Sequence, residues 1–114
     1  MFRYANVNHV TWMRDEELIV YANNASGTYR SRTFLTRGAQ PRVAASMGNR
    51  FVVWQDHLGH PFVAVYRNGQ WVGQDLTPTA TSQQLVVAVT AARGLGTLLA
   101  ASLGSNRLYA IANI

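Results

Sequence analysis

Acid–base, metal or nucleophilic chemistry falls to few side chains in this sequence. The acids are Asp15, Glu16, Glu17, Asp56 and Asp75, and the histidines are His9, His57 and His60. Glycoside hydrolysis needs two carboxylates across the scissile bond. Asp15 and Asp56 are the pair whose spacing could bring them to one rim, yet both sit in turns, where Asp needs no further reason to be. No catalytic residue is assigned. His57 and His60 are three apart in one turn beside Asp56, but a metal would need a further ligand. A polar turn explains them, and no metal site is expected. There is no cysteine, which removes disulfides, thiolate metal sites and a Cys nucleophile. No Gly-x-Ser-x-Gly or Walker pattern occurs. Gly94-Leu95-Gly96 lacks the third glycine of a dinucleotide fingerprint. No cofactor is expected. Asn24-Ala25-Ser26 fits a glycosylation acceptor, which matters only in a secreted eukaryotic protein.

Charge narrows the partners. The net charge is +5, and all ten basic residues are arginines. They are scattered, whereas a nucleic-acid interface needs them clustered on one face. Nucleic acid is not expected. The arginines read as a solvated surface, with acidic partners or anionic sugars as the alternative. No apolar run is long enough for a membrane span. Met1-Phe2-Arg3-Tyr4 shows no signal-peptide pattern.

The elements that must position these residues are short β-strands. Arg42–Ser46, Phe51–Trp54 and Phe62–Tyr66 are apolar, β-branched or aromatic, as a pleated surface favours. Met47-Gly48-Asn49, Asp56 to His60 and Arg67-Asn68-Gly69 punctuate them. Asn68-Gly69 is a strong hairpin signal, because both residues tolerate positive φ. Trp71-Val72 opens a fourth strand. Upstream, His9–Met13, Leu18–Ala22 and Thr28–Leu35 read as strands, with Arg37 to Pro41 as a connection. Downstream, Gln84–Thr90, Leu98–Ala101 and Leu108–Ile111 do the same. About ten or eleven strands result. Leu85, Ala88, Val89, Ala92, Leu95, Leu99 and Leu103 also fall at helical spacing. Gly94 and Gly96 weigh against a helix, at about 1 kcal/mol each relative to Ala.

The strands repeat. Trp12 and Trp54, Gly27 and Gly69, and Tyr29 and Trp71 are each 42 residues apart. Gly59 and Gly104 are 45 apart, with Leu58 on Leu103, Val63 on Leu108 and Asn68 on Asn113. Four strands in about 42–45 residues match a β-propeller blade. Trp12 and Trp54 are expected to pack between blades, where large flat rings bury much area. Trp71 and Tyr29 follow hairpin turns and are expected to anchor beneath them, or to offer a stacking platform for a sugar ring.

Pro41 to Ser46, Asn49 to Asp56, His9 to Trp12 and Val20 to Asn24 resemble blades of sialidase-like (Asp-box) propellers. Gly27 and Tyr29, and Gly69 and Trp71, keep that motif's glycine and aromatic, without its Ser-x-Asp part. No catalytic Tyr–Glu pair or arginine triad can be matched. Short-chain propeller lectins, whose rings are completed by several chains, are a weaker likeness. The resemblance implies an all-β partial propeller of about two and a half four-stranded antiparallel blades, and an extracellular location. One domain spans the chain: a partial blade over 1–39, a central blade over 40–81 and a partial blade over 82–114. The first strand, by analogy, completes the last blade. Self-association or further blades would be needed to close a ring.

The function expected is non-catalytic recognition of a glycan or protein ligand. Its site is placed on the rim carrying the turns between second and third strands: Arg14, Asp15, Asp56, His57, His60 and Arg107. The alternatives are a fragment of a sialidase-like glycoside hydrolase and a structural repeat module without ligand.

Overall fold

The structure is a computed structural model that describes residues 1–15, 18–55, 61–75, 84–102 and 108–114. The described residues form eleven strands and no helix. None is therefore a helix long and apolar enough to cross a membrane. The strands are β1 (Phe2–Tyr4), β2 (Val7–Arg14), β3 (Leu18–Asn23), β4 (Arg30–Arg37), β5 (Ala39–Ser46), β6 (Asn49–Gln55), β7 (Pro61–Arg67), β8 (Gln70–Asp75), β9 (Gln84–Ala92), β10 (Leu95–Ser102) and β11 (Leu108–Asn113). They build three antiparallel sheets in chain order. The first is β1-β2-β3-β4, the second β5-β6-β7-β8, and the third β9-β10-β11. Residues 84–102, where helical spacing competed with strands, are two strands of a hairpin.

Turn chemistry sets the hairpins. Each sheet joins its first two strands by two residues with positive φ: Ala5-Asn6, Met47-Gly48 and Arg93-Gly94. Two successive positive φ values define a tight hairpin turn whose twist suits the flanking strands. Asn68-Gly69 makes the same turn between β7 and β8.

The first two sheets share one register. Phe2↔His9, Trp12↔Val20 and Val20↔Thr33 in the first become Ala44↔Phe51, Trp54↔Phe62 and Phe62↔Asp75 in the second, each 42 residues later. The third sheet follows a different spacing. Its first turn lies 46 residues after Met47-Gly48, not 45. Register shifts at Leu98/Leu99 and Leu99/Ala100 then break any constant offset. An extra residue in one strand does this wherever a bulge occurs. Gly59 and Gly104, on which the 45-residue spacing rested, lie outside the described residues.

Alternation along β6 explains the stacking. Side chains on a strand point to opposite faces in turn. Phe51 and Val53 join one core with Ala44, Val63 and Val89 of the third sheet. Val52 and Trp54 join the other with Ile19 and Tyr21 of the first sheet and with Ala64. The second sheet is thus buried on both faces. That is why β6 reads as a continuous apolar run rather than alternating.

Three details differ from the sequence reading. Phe2–Tyr4 pairs with β2 in its own sheet and does not complete the last one. The first unit accordingly holds four strands. The connection at 37–41 shrinks to Gly38, since β4 reaches Arg37 and β5 starts at Ala39. A Cβ on Gly38 would lie 2.4 Å from Trp54 Cδ1, so this crossing admits no side chain without movement. Trp12 and Trp54 also differ in environment: Trp54 is 1 % exposed and Trp12 44 %. Both occupy the same register and the same face of their sheets. Trp54 has the first sheet against it, whereas Trp12 faces outward.

Gly96 offers a test of the packing. A Cβ there would stand 2.7 Å from the ring of the fully buried Phe51. Overpacking of this kind costs about 1–3 kcal/mol. Gly96→Ala should lower the unfolding free energy by that amount, read as a lower urea midpoint. An unchanged midpoint would contradict contact between the second and third sheets at this point.

Candidate functional site

The two intersheet junctions are closed differently at the end carrying the first hairpin turns. Between second and third sheets, Gly94 N–H donates to Ser46 Oγ at 3.0 Å. Asn49 Nδ2 donates to the Gly94 carbonyl at 2.7 Å, and Arg67 donates to the same oxygen at 3.2 Å. Arg67 also reaches the Ile114 carbonyl at 3.4 Å. These bonds bind a turn to the neighbouring sheet. At the other junction Tyr4 and Val7 hold the positions of Ser46 and Asn49, 42 residues earlier. Val7 has no side-chain donor and Tyr4 is too large for the slot Ser46 fills. The corresponding place is a cavity of about 180 Å³, lined by Tyr4, Val7, His9, Gly48, Asn49 and Arg50 among others.

From there the junction opens into a groove between β4 and β8. One part, about 370 Å³, is walled by Tyr21, Asn23, Ser26, Arg30, Arg32, Arg50 and Trp71. A second part of about 370 Å³ shares Arg32 and Trp71 and continues over Phe34, Trp54, Phe62 and Gly73. Gly73 leaves the space: a Cβ there would come 3.0 Å from the Phe62 ring.

Aromatic contacts fix the walls. Trp71 meets Tyr21, Phe34 and Tyr66 edge-on, with centroids 5.1–5.3 Å apart. Trp54 stacks on Phe62 at 4.9 Å and lies 5.5 Å from Phe34. Such geometries suit the ring quadrupoles. Trp71 is therefore a wall shared by both sheets. The indole N–H of Trp54 is buried without a hydrogen-bond partner among the described residues.

A polar relay runs beneath the groove. Ala25 N–H donates to Asn23 Oδ1 at 3.0 Å, which turns Asn23 Nδ2 toward the Tyr21 oxygen at 3.1 Å. That oxygen accepts, so its own proton is available for His9 Nδ1, 2.7 Å away. This network assigns the imidazole proton to Nε2. His9 is 5 % exposed, and its ring stacks on Tyr21 at 5.9 Å. Burial pushes the His9 pKa below 6.5, and the Arg50 charge pushes it the same way. Burial raises the Tyr21 pKa, while Arg50 and the Asn23 hydrogen bond oppose the rise. The relay is neutral.

The groove is positively charged. Arg50 lies over the Tyr66 ring with Cζ 4.2 Å from the centroid, and 6.0 Å from that of Tyr21. Arg32 lies over Phe34 at 5.5 Å. Cation–π contacts position a guanidinium while leaving N–H donors at its rim for another acceptor. Among the described residues, no carboxylate pairs with Arg30, Arg32 or Arg50, and none lines the groove. The groove can donate hydrogen bonds and attract anions, but its described walls offer no acid pair for hydrolysis.

Of the expected rim residues, Arg14 and Asp15 do not line this groove. Arg14 ends β2 and Asp15 follows it in the turn; both are exposed and approach each other at 3.8 Å. An exposed pair of this kind contributes little. Asp56, His57, His60 and Arg107 lie outside the described residues. Arg30, Arg32 and Arg50 were visible in the sequence only as scattered charges. Trp71 and Tyr29, each just after a hairpin turn, differ in setting. Trp71 packs between the sheets, and Tyr29 is 55 % exposed, with its hydroxyl 3.5 Å from Asn8 Nδ2.

His9 makes the relay testable by pH. Its folded pKa is depressed, so the unfolded chain binds the proton first as pH falls through about 6.5. Stability held by neutral His9 is complete above that pH and is lost below it, until the folded state also protonates. The urea midpoint should drop between about pH 7.5 and 5.5, and drop less in His9→Gln. Equal drops in both proteins would show that His9 is not held neutral.

Compared with known proteins, the chain matches no family model, no curated protein and no solved structure.

Proposed function

We propose that the chain is a partial β-propeller that recognises a carbohydrate carrying negative charge, without chemistry of its own. Three successive antiparallel meanders, stacked face to face in chain order, support the propeller reading. The shared register of the first two sheets supports it further. Repeated four-stranded units with short turns are the grammar of blades. The likeness to sialidase-like blades stays at that level of grammar.

One observation carries the functional reading: the groove between the first two sheets unites arginines that pair with no carboxylate among the described residues with an aromatic wall. Arginine forks match carboxylate and sulfate oxygens bidentately. Ring faces and apolar edges suit the C–H surface of a sugar. Ordered groups on strands recognise more precisely than groups on loops. The rim turns between second and third strands remain a further contact surface in this reading, through Arg14 and Asp15.

A glycan array with neutral, uronic-acid and sulfated members tests the idea. Acidic glycans should bind, more weakly as salt rises, because screening acts on exposed charges. Arg32→Ala should weaken binding about tenfold, near 1.4 kcal/mol. It should leave the urea midpoint nearly unchanged, since Arg32 is exposed. Binding of neutral glycans alone, or full affinity in Arg32→Ala, would reject the groove as the site.

A further inference from the structure

Three polar side chains of the second sheet hold the first hairpin turn of the third, and one sheet earlier all three are replaced. Ser46, Asn49 and Arg67 take up the backbone of Gly94. Gly48 holds the place of Gly94 in its own sheet, as the second residue of the first turn, also with positive φ. The residues 42 before Ser46, Asn49 and Arg67 are Tyr4, Val7 and Ala25. All three line the cavity of about 180 Å³, and Gly48 lines it with them. Among the described residues, no hydrogen bond ties the Gly48 backbone to the first sheet. A Cβ on Gly94 would lie 3.3 Å from Asn49 Nδ2, whereas a Cβ on Gly48 would meet nothing within 4 Å.

The walls decide what this space can take. Its polar groups are mainly donors: the unpaired amide of Gly48, His9 and Arg50. His9 is 5 % exposed, and Tyr21 engages its Nδ1, so Nε2–H is the donor it has left. Arg50 lines both this cavity and the groove, and its charge is near enough to lower the His9 pKa. No acidic residue lines the cavity, and no carboxylate among the described residues pairs with Arg50. Beside these donors stands apolar surface from Val7, Ala25, Ala45 and the Tyr4 side chain. Donors next to a guanidinium favour an anion. Apolar walls favour carbon over a hydrated ion. The volume is below the roughly 300–1,000 Å³ of pockets for drug-sized ligands, so the occupant is small.

We propose that this cavity binds a small monocarboxylate with a short apolar chain, its oxygens on Arg50, His9 Nε2–H and the Gly48 amide and its chain against Val7 and Ala45. An inorganic anion would satisfy the donors and leave the apolar walls against a hydrated ion. A neutral hydrocarbon would cover the walls and leave the donors unpaired, which costs free energy in a buried place. A carboxylate on a short chain meets both demands. The site shares Arg50 with the groove but not Arg32 or Trp71, and it does not rest on the glycan reading.

Propionate titrated into the isotope-labelled chain tests it by nuclear magnetic resonance, with propanol and chloride as controls. Propionate should shift the Gly48 amide and the His9 ring resonances and saturate at about 1 mM, a range open to ligands of so few atoms. Val7→Asn gives the turn the donor that Asn49 gives Gly94, and should abolish the shifts while keeping the urea midpoint. Ala25→Leu fills the cavity from an exposed turn position and should abolish them too, so a folding defect in one variant does not decide the matter. Arg32→Ala, outside the cavity, should keep the shifts whether or not the groove takes a glycan. No shift with propionate, equal shifts with chloride or propanol, undiminished binding in both Val7→Asn and Ala25→Leu, or loss of binding in Arg32→Ala would each overturn the proposal.

Discussion

Two-sided burial of β6 is the constraint on which the molecule depends. One strand of seven residues feeds two separate cores, Phe51 and Val53 on one face and Val52 and Trp54 on the other. Fully burying a Val or Phe side chain is worth about 1.5–3 kcal/mol, so losing either face would remove several such terms at once. A sheet covered on both sides needs a sheet on each side. The first and third sheets are therefore conditions of the second, and neither could be detached without exposing a core. Small residues occur where the sheets approach most closely: Gly38 against Trp54, and Gly96 against Phe51.

The two junctions divide the work. At the junction with the third sheet, backbone groups of Gly94 are saturated by Ser46, Asn49 and Arg67. At the junction with the first sheet, Tyr4 and Val7 replace the donors, and the aromatic rings hold the sheets together over a groove instead. Edge-on rings keep their geometry without filling all the space between strands. Arg32 and Arg50 at that groove are placed by rings, and among the described residues no carboxylate takes up their donors. One junction is built for cohesion and the other leaves unsatisfied polar capacity at the surface.

Much of this architecture was legible in the residues. The 42-residue spacing of Trp12 and Trp54 is the register of the sheets, because strand pairing fixes side-chain faces with a period of two and a slip of one residue would invert them. Asn68-Gly69 marked its hairpin for the same local reason that any positive-φ pair does. The third sheet was less readable, since its bulges shift the pairing within β10 and no single offset survives. In the sequence Gly96 weighs only against a helix, yet its reason is the Phe51 ring, a residue 45 positions away. The groove was not readable. Arg30 and Arg32 sit on β4 and Arg50 on β6, and only the stacking of two sheets brings them together. Trp12, expected to pack between blades because it repeats Trp54, is 44 % exposed, since the repeat fixes its place on the strand but not its neighbour. Sequence alternation reports which face a residue occupies, and says nothing of whether another sheet is there to cover it.

Nuclear Overhauser contacts from the side chains of β6 test the serial stack most directly. Trp54 ring protons should see Phe34 and Ile19 of the first sheet, and Phe51 ring protons should see Val89 and Gly96 of the third, with no neighbour in common across the strand. Contacts from both rings to one and the same neighbouring sheet would show that β6 has a single buried face, and the account of three sheets in series would be wrong.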